Sequence, residues 1–291
     1  MEVINVSSKK LGSLRKLILP SEVSSECQLF HYNYRGDEKI IKRLNCSEGI
    51  RFANKLYTLE ALNINREYLT NNFIVPEFLL SVHKRIEGFA IKYVEGTNLS
   101  KVLNDPRISI GEKKYYLKRV GQILEQMKQI RNYTPLTDFY IGDLHEDNFV
   151  INTSQKEVYV VDLDSCKISG NKVSPAKYLS PMALLNSTKG KYKLSEGGQD
   201  YMVDENTDIY CYIIMILNYL YNGRINNVEL TEFYQFLNFL SDIGVDKELI
   251  DCFMRIISNR QNINPVDYIE TLTPKQISLA RKLYPKRKLP F

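Results

Sequence analysis

Tyr140-Ile141-Gly142-Asp143-Leu144-His145-Glu146-Asp147-Asn148 runs directly into Phe149-Val150-Ile151, and a little further on the chain reads Val158-Tyr159-Val160-Val161-Asp162-Leu163-Asp164-Ser165-Cys166. Phe149 to Ile151 and Val158 to Val161 are apolar and rich in β-branched residues. Thr153-Ser154-Gln155-Lys156 separates them, which predicts a short hairpin. That hairpin brings Asn148 beside Asp162. Their side chains offer the oxygen donors that magnesium, a hard cation that retains several waters, prefers. Asp143 then stands as the carboxylate that orients an accepting hydroxyl and takes its proton, in a chemistry that is mostly positioning and charge stabilisation. The stretch points to magnesium-dependent phosphoryl transfer from ATP.

The segment resembles the catalytic loop and magnesium-binding segment of the protein kinase-like superfamily. The Asp-x-x-x-x-Asn spacing of Asp143 and Asn148 matches. Ile141-Gly142 stands in place of the usual His-Arg, and Asp162-Leu163-Asp164 in place of Asp-Phe-Gly. Gly142 and His145 are similar to the aminoglycoside and choline kinase branch. The resemblance thus implies a divergent member.

Other segments fall in the order of that family. Glu38 to Leu44 reads as a strand, and its Lys42 resembles the lysine that contacts the α- and β-phosphates. Glu60 follows eighteen residues later on a segment, Ser47 to Asn63, with Ile50, Ala53, Leu56 and Tyr57 at helical spacing. The resemblance implies a Lys42 to Glu60 ion pair. Gly88 to Leu99 is similar to the strand that enters the hinge: Ile91 takes the gatekeeper position, the backbone of Lys92 and Val94 faces adenine, and Asn98 sits near the ribose. Lys177-Tyr178-Leu179-Ser180-Pro181-Met182 resembles the end of an activation segment. Asn206-Thr207-Asp208-Ile209-Tyr210, continuing to Gly223, resembles the buried helix whose aspartate braces the catalytic-loop backbone. Thr207 or Asn206 is its expected cap.

The resemblance covers roughly residues 14 to 273 of 291. It implies an α+β, bilobal protein kinase-like fold: a small, mainly β N-lobe over 1–93 with a five-stranded sheet and one helix, and a larger, mainly helical C-lobe over 94–273. A basic tail, 274–291, follows. A content of 44% hydrophobic and 25% charged residues suits a folded globular chain. Cys27, Cys46, Cys166, Cys211 and Cys252 are odd in number and scattered, so they read as reduced thiols of a cytoplasmic protein, without zinc spacing. No run is apolar and long enough for a membrane span or a secretion signal. A net charge of +5 gives no case for nucleic-acid binding. The concentrated cations, Arg281-Lys282 and Lys286-Arg287-Lys288, read as a solvated tail that could dock an acidic partner.

Two departures bear on activity. The loop Pro20 to Cys27 has no glycine where kinases carry three; Ser24 and Ser25 are its candidate phosphate donors, and Glu22 and Glu26 are unfavourable beside a triphosphate. With no arginine before Asp143, control by a phosphorylated activation loop is not expected. The stretch from Pro181 to Asp208 reads as a substrate or partner loop. The implied function is ATP- and magnesium-dependent transfer of the γ-phosphate to a Ser or Thr hydroxyl of a protein. Alternatives are a small-molecule kinase of the aminoglycoside or choline type, and a pseudokinase acting as a scaffold.

Overall fold

A computed structural model describes residues 1–17, 27–45, 48–171, 203–258 and 260–284. Ser24, Ser25, the Lys177 to Met182 segment, most of the Pro181 to Asp208 stretch and the Lys286 to Lys288 cations lie outside the described residues. The architecture is mixed α+β, with a sheet-rich N-terminal part and a helical C-terminal part.

The N-terminal sheet contains β1 (Glu2–Asn5), β2 (Cys27–Tyr34), β3 (Asp37–Leu44), β4 (Pro76–Val82) and β5 (Arg85–Lys92) in the order β1-β4-β5-β3-β2. β1 runs parallel to β4 and the other pairs are antiparallel. The edge strand β1 was not expected from the sequence. Leu17 donates its N–H to Leu29 O at 2.9 Å, and the next residues are outside the described set.

Side chains alternate across a strand, and β3 shows what that does here. Ile41 packs with Phe30, Phe78 and Leu80 on one face of the sheet. Ile40 and Leu44 pack with Leu59, Phe89 and Ile91 on the other. Lys42 lies between Ile40 and Leu44, on this second face, where the sheet meets α2 (Ile50–Ile64). The buried side of α2 is Thr58, Leu59, Ala61 and Leu62, and full burial of a leucine contributes about 1.5–3 kcal/mol. This corrects the helical face read from the sequence: Ile50 is 87% exposed and Tyr57 49%, and Ala53 and Glu60 are exposed with them.

The short β6 (Thr97–Asn98) leads into α3 (Leu99–Asn104) and α4 (Ile110–Tyr133), whose first turn is closed by a Ser109 and Glu112 capping box. β6 pairs with β7 (Phe149–Asn152), and β7 pairs with β8 (Glu157–Val160), in a three-stranded sheet. Gly96, just before β6, approaches β7 so closely that a Cβ there would lie 2.4 Å from Ile151 O. Gly96→Ala is expected to cost about 2 kcal/mol of stability, read by urea unfolding. An unchanged midpoint would contradict this packing.

Helix α5 (Glu205–Tyr221) is the centre of the helical part: Thr207 through Leu217, Tyr219 and Leu220 are all buried. Its N-cap is Asp204, which forms a capping box with Thr207, rather than Thr207 or Asn206. The Asn206 side chain instead accepts from Asn262 N at 2.8 Å. α6 (Leu230–Asp242) and α7 (Lys247–Arg255) pack around it, and a single 3-10 turn, Tyr268–Thr271, follows.

The chain then forms α8 (Pro274–Leu283), with Thr273 and Gln276 as its capping box and proline in the first turn. Ile277 and Ala280 are buried against the helical core. Residues 274–283 therefore belong to the helical part, which corrects the reading of 274–291 as a solvated tail. Arg281 stacks over the Tyr219 ring, 4.4 Å from its centroid, and donates to Tyr219 O. No helix among the described residues is long and apolar enough to cross a membrane.

Candidate active site

The loop from Tyr140 to Asn148 is fixed at both ends and in its middle. Tyr140 and Lys167 exchange backbone hydrogen bonds at 3.0 and 2.8 Å. Asp208, in the first turn of α5, accepts from Ile141 N at 2.8 Å through one carboxylate oxygen and from Gly142 N at 2.9 Å through the other. Gly142 has φ +76°, and Asp143 N donates back to Ile141 O at 2.9 Å across it. A Cβ on Gly142 would meet nothing closer than 3.5 Å. The glycine is required by its backbone angle, which L residues seldom adopt, and not by lack of space.

Burial pushes the Asp208 carboxyl up to about 7, against the two backbone N–H groups and Arg131, which favour its charged form. With its folded value above the unfolded one, the contribution of this group to stability is full below about pH 4 and is lost as pH rises through the folded value. Asp208→Asn, which cannot titrate, is expected to flatten the decline in stability between about pH 4 and 7, measured by urea unfolding. Parallel curves for wild type and variant would contradict the assignment.

Asn148 closes the loop from the far side. Its Nδ2 donates to Asp143 O at 2.7 Å, and its N–H donates to His145 O at 3.0 Å. The amide nitrogen is thereby committed, and Oδ1 is the atom left for a cation. Val161 N donates to Asn148 O at 3.0 Å, which extends the β7–β8 pairing by a step and sets Asp162 next to Asn148. The hairpin expected from the sequence forms, with its turn at Thr153 to Lys156.

His145 Nδ1 accepts from Asp147 N at 3.3 Å, which places the ring proton of the neutral form on Nε2, 3.7 Å from Asp143 Oδ2. Asp147 in turn accepts from Ser100 Oγ at 2.5 Å. Asn98 Nδ2 donates to Asp147 O at 2.9 Å. Asn98 therefore ties α3 to the loop, and its Oδ1 is the side-chain atom left to meet a ribose.

Lys42 departs from expectation. Its Nζ lies 2.5 Å from Asp162 Oδ1 and 2.6 Å from Asp164 Oδ1. The Lys42 to Glu60 pair does not form, because Glu60 is on the exposed face of α2. The residue that α2 contributes is Lys55, 2.7 Å from Asp164 Oδ2. Burial opposes the Lys42 charge, but Asp162 and Asp164 outweigh it and raise its pKa. Burial also opposes ionisation of Asp164, and Lys42 and Lys55 nevertheless hold it well below the usual carboxylate range. Asp162 is shifted upward by its enclosure and by Asp164, with Lys42 opposing; 44% of its side chain is open, so it can still meet a cation.

Sequence reasoning missed Asp164 and Lys55. Lys55 lies four and seven residues before Leu59 and Leu62, on the buried side of α2. A lysine on an apolar stripe was the available signal. Ile91 is buried at 7% exposure in the cluster that joins the sheet to Tyr159 and Val161, and Val94 packs on the same cluster. The Lys92 side chain is exposed. Among the described residues no group of three His, Cys, Asp or Glu side chains is arranged to hold a metal. The candidate pair is therefore Asn148 and Asp162, an amide and a carboxylate oxygen, which suits a hard cation that keeps most of its waters. No model of a known protein family matches the chain, and no curated protein matches it either.

Proposed function

We propose that this chain is a divergent phosphotransferase of the protein kinase-like type, which moves the γ-phosphate of ATP to a hydroxyl, with Ser or Thr of a protein as acceptor. The observation that carries the reading is the double grip on the Asp143 loop: Asp208 holds the backbone before Asp143, and Asn148 holds the carbonyl of Asp143 itself. Both grips use backbone groups, and the Asp143 carboxylate, 34% exposed and 3.7 Å from His145 Nε2, would receive the proton of an attacking hydroxyl. Asn148 Oδ1 and Asp162 would hold magnesium, whose charge offsets that of the phosphates. Lys42 is charged and reaches the same end of the cleft, where a phosphate oxygen can share it with Asp162.

Titration of ATP with and without magnesium tests this. Asp162→Asn is expected to weaken the magnesium-dependent part of ATP binding about tenfold and to leave the magnesium-independent part unchanged. Equal magnesium dependence in wild type and variant would overturn the metal assignment. A second reading, a scaffold that does not use nucleotide, is favoured by one observation: Lys42 already has two carboxylates as partners. It predicts no ATP binding under either condition.

A further inference from the structure

The C-terminal end of α5, α3 and α8 enclose a pocket of about 240 Å³ that reaches the Asp143 loop at Glu146. Its floor is apolar, made by the buried side chains of Leu103, Met215 and Tyr219. Pockets for drug-sized ligands measure roughly 300–1,000 Å³, so this volume suits a small metabolite.

The two walls differ in hydrogen-bonding character. On the α5 and α8 side two amide oxygens are engaged: Asn218 Oδ1 accepts from Ile225 N at 2.8 Å, and Asn222 Oδ1 accepts from Arg281 Nη2 at 3.0 Å. Donors remain there. Asn218 keeps its Nδ2, and Arg281 keeps N–H groups beyond the two bonds it makes. Arg281 is half-buried, and burial lowers its pKa. Among the described residues the charged state of Arg281 is acted on by burial and Tyr219 and by no carboxylate, and Arg224 lies at the exposed rim of the same pocket. Lys113 is buried and close enough for Arg281 to depress its pKa, after burial itself. A half-buried guanidinium with a cationic neighbour and no counter-ion is costly, and an anion in the pocket would relieve it. On the α3 side Ser100 Oγ donates to Asp147, one N–H of Asn104 Nδ2 donates to Ser100 O at 2.8 Å, and the oxygens of Ser100 Oγ and Asn104 Oδ1 are acceptors. That wall offers acceptors to hydroxyl groups. Glu146, the one acid among the described residues that line the pocket, is on the loop side.

We infer that this pocket binds a small hydroxylated anion, its phosphate or carboxylate on Arg281, Arg224 and Asn218 and its hydroxyls towards Ser100 and Asn104. The inference does not rest on phosphotransfer, because binding alone reads it. Calorimetric titration of the full chain with glycerol 3-phosphate and with tartrate distinguishes the two head groups, and glycerol serves as the uncharged comparison. At least one anion is expected to bind with a dissociation constant of about 1 mM or below, and glycerol is expected not to bind.

Asn218→Asp keeps the acceptor for Ile225 N and replaces the donor Nδ2 with a negatively charged oxygen beside Arg281. It is expected to raise the melting temperature and to weaken the anion at least about tenfold. Arg224→Gln, at the exposed rim, is expected to weaken it about threefold with the melting temperature unchanged. The inference is overturned if neither anion binds, if glycerol binds as well as the anions, or if Asn218→Asp binds them as tightly as wild type.

Discussion

Asp143→Asn is expected to lower the proposed phosphotransfer about a thousandfold and to leave ATP affinity within about twofold of wild type. The loop that carries Asp143 is held by its backbone. Asp208 takes the N–H groups of Ile141 and Gly142, and Asn148 takes the carbonyl of Asp143. None of these bonds uses the Asp143 carboxylate, which is 34% exposed at the end of its side chain and 3.7 Å from His145 Nε2. An amide of the same shape leaves the backbone geometry in place. It cannot accept the proton of an attacking hydroxyl. Turnover and ATP binding measured on the same two preparations separate the roles: a variant within tenfold of the wild-type rate would remove Asp143 from the chemistry, and a variant that loses ATP binding as well would mean that the carboxylate is structural.

Asp164→Ala costs about 3 kcal/mol of folding stability, far more than any change at Glu60. Asp164 is 4% exposed, and each of its oxygens holds a lysine, Lys42 through one and Lys55 through the other. Removing it takes a carboxylate from two cations whose side chains are only 8% and 17% exposed. Its strongly depressed pKa carries a sign. The contribution of Asp164 is present above the unfolded carboxylate value and is lost as pH falls through the lower folded value. The difference between wild type and Asp164→Ala should therefore shrink in acid. Glu60→Gln, on the exposed face of α2, is the comparison, and its urea midpoint should not move. A larger loss at Glu60 than at Asp164 would reverse the assignment of the partner of Lys42.

How much of this was legible in the sequence depended on whether the signal was local. The β7 and β8 hairpin could be read because two apolar β-branched runs flank a polar turn, and its register brings Asn148 against Val161, the residue before Asp162. The brace from Asp208 was legible only through the family resemblance, since 66 residues separate it from Gly142. The pairing of Lys42 was misread for a physical reason. Spacing along α2 offers two stripes, one through Ala53, Leu56, Tyr57 and Glu60 and one through Lys55, Leu59 and Leu62. The second is buried because it faces the sheet, where Lys42 sits between Ile40 and Leu44. The family's lysine-to-glutamate separation favoured the first stripe, and packing chose the second. Arg281 was likewise read from its charged neighbours as solvated, although Ile277 and Ala280 in the same helix gave it an apolar face to follow.

The acceptor class bears on the largest share of the account. Incubating the wild-type chain and Asp143→Asn with γ-labelled ATP, magnesium and host lysate, then separating protein from small molecules, measures it directly. The account predicts label on protein bands that depends on Asp143. Asp143-dependent label in the small-molecule fraction alone would replace the protein acceptor with a metabolite, and the absence of Asp143-dependent label from both fractions would contradict phosphotransfer itself.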